Sequence, residues 1–249
     1  MRPKLKIGLT LFALGFLGIL SLLTATLPYG DLPEQIAQLP PFIIKLLVLL
    51  QPSIILLIAV LVGTLLYDKV KFTVPTISSL FGIEKPQTSF VQQVKYGVPL
   101  GLLAGALIVL TASLFKLVIS EELNAVGNQV QITLLVRFGY GGITEELLMR
   151  FGFMTLVVWV TSKLIRRLNN LTYWVGIGLS TLLFAAGHLP VVYASVSAPS
   201  ALLVTYILVG NSIGGLIFGW LYWKKGLESA IFAHIFAHVA MVSIGLFMG

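Results

Sequence analysis

FIIKLLVLLQPSIILLIAVLVGTLLY, residues 42–67, decides the fold. Apart from Lys45 near one end it carries no charged side chain, and it is longer than the ~20 apolar residues that cross a bilayer as an α-helix. Inside hydrocarbon the backbone must satisfy its own hydrogen bonds, which a helix does within one segment. Outward from this stretch the pattern recurs at Ile7–Leu27, Tyr96–Ile119, Leu171–Leu189, Ala201–Trp223 and Ala230–Met248. Gln131–Val160 is also long enough, but Arg137, Gly139, Gly141, Gly142, Glu145, Glu146 and Arg150 interrupt it. The prediction is an all-α polytopic transmembrane bundle of seven spans, or eight if those glycines split the interrupted segment.

Composition agrees. Of 249 residues, 57% are apolar and 10% charged, and the mean hydropathy is +1.00. A soluble domain carries about a quarter charged residues. Cysteine is absent, which removes disulfides, thiolate metal sites and a cysteine nucleophile. The net charge of +7 does not point to nucleic acid, because the basic residues cluster between apolar runs, as juxtamembrane anchors facing lipid headgroups do. Arg2, Lys4 and Lys6 precede the first span, and Lys69, Lys71, Lys85 and Lys95 follow the second. Lys163, Arg166 and Arg167 follow the interrupted span, and Lys224 and Lys225 follow the sixth. Alternate loops hold Asp31 with Glu34, and Glu121 with Glu122, while Lys45 and Lys116 sit where they can snorkel. This asymmetry places a multi-pass protein in the cell membrane with a cytoplasmic N-terminus. The first apolar run is longer than a signal-peptide core and no small-residue cleavage site follows it, so it reads as a retained helix. In the loop Asp68–Lys95, the apolar Leu80, Phe81, Ile83, Phe90 and Val91 among polar residues suggest an interfacial amphipathic segment.

Ionisable side chains inside a bilayer cost several kcal/mol and face a cavity or one another. The chain has three histidines, His188, His234 and His238, all within predicted spans or at their ends. Glu145, Glu146 and Arg150 share that setting. A helix–helix polar clamp would account for some of these, though six such residues in the C-terminal half point to chemistry. Glu146 and Arg150 are four apart and can pair on one helix face. Glu145 lies about 100° further round an α-helix with no cation of its own, a setting that suits a general base. His234 and His238 also share a face, and Gly187 before His188 should let a neighbouring helix approach closely. A His-Glu-x-x-His zinc helix is absent, and the two aspartates, Asp31 and Asp68, lie in loops. A serine–histidine dyad could draw on Ser180, in Gly178-Leu-Ser-Thr181, but would leave Glu145, Glu146 and Arg150 without work.

Glu145-Glu146-x-x-x-Arg150, Phe184-x-x-x-His188 and His234-x-x-x-His238 resemble, in order, three motifs of the CPBP family. That family comprises the type II CAAX prenyl proteases and the bacteriocin-processing or bacteriocin-immunity proteins, also called the Abi family. Phe218-Gly219-Trp220-Leu221-Tyr222 and Gly226-Leu227-Glu228-Ser229-Ala230 are similar to its last motif region. The resemblance covers roughly residues 135–245. It implies N-terminal transmembrane helices and an interfacial loop over 1–130, followed by a catalytic helical core over 131–249. It also implies an intramembrane endopeptidase that cuts a lipidated or hydrophobic peptide with glutamate- and histidine-activated water. Glu145 would be the base, helped by His188; Glu146 and Arg150 would shape the site; His234 and His238 would hold the oxyanion. His238 departs from the Asn or Asp usual in the family. The departure creates a possible zinc set of Glu145, His188, His234 and His238, although a metal-free site is the expectation. The competing classes are a non-hydrolytic immunity-type membrane protein and a proton-coupled transporter; the inverted repeats of a transporter are not visible.

Overall fold

The computed structural model describes residues 3–28, 34–82 and 88–248. Arg2, Asp31, Ile83 and Lys85 lie outside the described residues. The chain is an all-α bundle with seven helices long and apolar enough to span a membrane. Its elements are α1 (Pro3–Ser21), the short α2 (Glu34–Ala37), α3 (Pro41–Leu66), the short α4 (Pro75–Leu80), α5 (Phe90–Gln129), α6 (Val136–Leu164), α7 (Asn170–Ala186), the short α8 (Leu189–Ser195), α9 (Ala201–Lys225) and α10 (Leu227–Met248). The interrupted segment is one span, not two. Its glycines do not break α6; the helix instead winds wide, with π-type turns over Val136–Glu145 and Leu147–Met154.

α5 outruns its predicted range at both ends. Ser89 and Gln92 form a reciprocal capping box that starts it at Phe90. Its backbone leaves helical geometry at Ile119, where the predicted span ends, and it then continues to Gln129. Glu121 and Glu122 are therefore helical rather than in a loop. Glu122 accepts hydrogen bonds from the backbone N–H and hydroxyl of Ser200, at 2.7 and 2.6 Å, where α9 begins. In the Asp68–Lys95 loop, α4 buries Ile77 while Leu80 and Val91 remain more than 70% exposed.

Small residues bring the helices together, as bilayers favour when lipid removes the hydrophobic drive between spans. Gly97, Gly101 and Gly105 repeat every fourth residue along α5, and a Cβ on each would meet Ser229, Ala233 or Ala237 of α10. Gly215 of α9 sits on Thr181 of α7, and Gly152 of α6 sits on Ala59 of α3. The first half of α6 packs on α1 and its second half on α3. One core runs through these contacts, centred on Leu11, Leu56, Leu147, Phe151, Phe218 and Tyr222. A smaller one joins Ile119, Val192 and Leu203. The N-terminal end of α1 is tied to the end of α3 by a Lys4–Asp68 ion pair.

Candidate active site

α6, α7, α9 and α10 meet around a cavity of about 750 Å³, the size range of small-molecule sites. Glu145, His188, His234 and His238 all line it. Glu146 and Arg150 do not line it; both are fully buried behind His234. All six predicted residues thus belong to one cluster built in two layers, a cavity wall and a charged support.

The support starts from the spacing on α6. Arg150 Nε lies 3.3 Å from Glu146 Oε2, and an Arg150 terminal nitrogen donates to the carbonyl of Gly215 at 3.3 Å. The guanidinium also lies over the rings of Phe184 and Phe218, 5.0 and 5.7 Å from their centroids. These contacts compensate a cation that would otherwise be costly in a dry interior. The other oxygen of Glu146 is 2.9 Å from His234 Nδ1. A carboxylate only accepts, so Nδ1 carries the proton and donates it. Nε2 of the same ring then faces Glu145, whose Oε2 is 3.8 Å away. The adjacent glutamates therefore flank opposite nitrogens of one imidazole. Stacking holds that ring in plane, against Phe218 on one side and His238 on the other, with centroids 4.7 and 5.1 Å apart.

His188 reaches the cavity by a route that helix geometry alone did not suggest. α7 ends at Ala186, so Gly187 and His188 form the turn into α8. The expected close helix approach at Gly187 is absent: a Cβ there would meet only the Leu183 and Phe184 carbonyls of its own helix. The turn carries the imidazole sideways into the bundle, edge-on to Phe184 at 4.9 Å. His188 Nδ1 lies 2.8 Å from the Phe184 carbonyl. Since a carbonyl only accepts, His188 Nε2 is left as a free acceptor.

Ser180 is buried, donates to the Ile177 carbonyl of its own helix and does not line the cavity. Arg137, Tyr140 and Asn211 do line it. Arg137 stood out in the sequence as an interruption of an apolar run, whereas Asn211 gave no signal beyond being a lone amide within a span. Among the described residues, no three His, Cys, Asp or Glu side chains gather as a metal-ligand group.

Glu145 and three histidines line one cavity of an all-helical bundle, with Glu146 and Arg150 buried behind them, which is a site equipped for acid–base chemistry. The particular family follows from comparison: residues 128–240 match the model described as Type II CAAX prenyl endopeptidase Rce1-like. Those residues include every member of the cluster, and their similarity to that family supports a place for this segment in the CPBP group. The match supports a CAAX-type intramembrane endopeptidase at the family level. No curated protein and no solved structure matches the chain.

Proposed function

We propose that this protein hydrolyses a peptide bond of a lipidated or hydrophobic peptide within the membrane, using water activated by Glu145 and His188. The observation that carries this reading is the convergence of Glu145, His188, His234 and His238 on one cavity inside the bundle. Glu145 would take a proton from water as the oxygen attacks the scissile carbonyl. His188, with Nε2 open, would share that proton and pass it to the departing amine. His234, held through Nδ1 by Glu146, would turn its other ring nitrogen toward the oxyanion. His238, stacked beside it, would supply the second donor to the oxyanion.

Metal plays no part in this scheme. Zinc hydrolysis would need a base distinct from the ligands; with Glu145 as ligand, that leaves Glu146, which is held by Arg150 and His234.

The test is turnover of a peptide library by protein purified in detergent. Glu145→Gln should express normally and lose at least 100-fold in kcat, in the range of general-base contributions, and chelators should leave the wild type unaffected. Normal turnover by Glu145→Gln, with loss in Glu146→Gln, would reverse the two roles. Activity removed by chelator and restored by zinc would overturn the metal-free scheme.

A further inference from the structure

We propose that Arg137 is the binding site for a free C-terminal carboxylate of the peptide being cut. The proposal rests on the peptidase reading above and adds where the substrate ends. Arg137 is partly buried at the start of α6 and lines the same cavity as Glu145. Among the described residues its guanidinium has no hydrogen bond and no ion pair, in contrast to Arg150, which is held by Glu146 and Gly215. Arg137 stands at the end of its span, where a cation facing the cavity is open to an anionic group, and a planar guanidinium matches a carboxylate bidentately.

Position sets the length of the ligand. Arg137, Gly141 and Glu145 follow one another at intervals of four along α6, and all three line the cavity. His238 seats its Nε2 over Gly141, where a Cβ would approach to 2.7 Å. The order along the wall is therefore base, oxyanion donor, cation. Eight helical positions separate Glu145 from Arg137, at most ~12 Å at 1.5 Å per residue. Three extended residues cover ~10 Å. A peptide cut at Glu145 would place its carboxylate at Arg137 if three residues lay on the C-terminal side of the scissile bond. A substrate ending in Cys-a-a-X has three residues after its cysteine.

The experiment compares an S-farnesylated peptide ending Cys-Val-Ile-Met with the same peptide as its C-terminal amide. Both cleavage and equilibrium binding are measured in detergent for wild type, Arg137→Gln and Arg137→Lys. Wild type should favour the acid by roughly 10- to 100-fold in KM and in Kd, the range for a hydrogen-bonded charge. Arg137→Gln should treat acid and amide alike at the wild type's amide level, and Arg137→Lys should recover part of the preference. Equal handling of acid and amide by wild type, or a preference that survives in Arg137→Gln, overturns the proposal. Acid-selective binding that is lost in Arg137→Gln, with no cleavage by the wild type, would uphold the carboxylate site and sink the peptidase reading. Cleavage without acid selectivity would do the reverse.

Discussion

Arg150 is a fully buried cation held by one carboxylate, one carbonyl and two aromatic faces. Removing it leaves the buried Glu146 carboxylate without its cation, with only the His234 N–H to meet it. Arg150→Ala should therefore destabilise the fold by ~3–5 kcal/mol, the cost of stranding a buried charge. Thermal unfolding in detergent measures this, and an unchanged midpoint would show that the guanidinium does not support the core. Spacing made part of this site legible: Glu146 and Arg150 at an interval of four predict a pair, and they are 3.3 Å apart. The bridge from Glu146 to His234 was not legible, because it joins residues 88 positions apart through the packing of α6 on α10. The same limit hid the significance of Arg137. Its residue type was plain, but its lack of a partner among the described residues is a fact of three dimensions.

At the level of elements, the face that α5 turns toward α10 decides where His234 and His238 sit. A Cβ on Gly101 would run into the backbone of Ala233, next to His234. Gly101→Val should push α10 outward, lower stability by ~1–3 kcal/mol or more through overpacking, and reduce kcat by displacing His234 from Glu145. Gly127→Val, on the same helix where a Cβ meets nothing within 4 Å, is the control and should leave both unchanged. If the two variants behaved alike, α5 would not position the site. Hydropathy set the span ranges to within a few residues at most ends, because length and apolar content are local properties. It missed the extension of α5 past Ile119, since Glu121 and Glu122 look like loop residues until Ser200 is seen to meet Glu122. It also missed the wide turns of α6, which lie where that helix packs against α1, α3 and α10.

Across the whole molecule, the seven long apolar helices among the described residues would, if each spans, put the two ends of the bundle on opposite sides of a membrane. From the Lys and Arg asymmetry we propose an N-terminus on the cytoplasmic side. A protein without cysteine is well suited to testing this, since any thiol introduced is the only one. In intact cells, an impermeant maleimide should label Gln38→Cys and Asn128→Cys and should spare Lys69→Cys and Arg166→Cys. Labelling of Lys69→Cys from outside would invert the orientation, and labelling of Gln38→Cys and Lys69→Cys from the same side would break the seven-span count.

α9 ends at Lys225 and α10 begins at Leu227, so Gly226 alone joins two membrane-spanning helices. Its φ of 103° favours glycine, and a Cβ there would strike Pro75. A joint this short has a consequence for synthesis. It leaves no slack for α9 to settle across the bilayer while α10 waits in water, so the two must insert together as a hairpin. A nascent chain that has grown only to Lys225 carries Glu145 and His188 but neither His234 nor His238. The ribosome thus delivers the His234 and His238 wall of the cavity after the Glu145 and His188 wall, in one step with the helix pair that closes it.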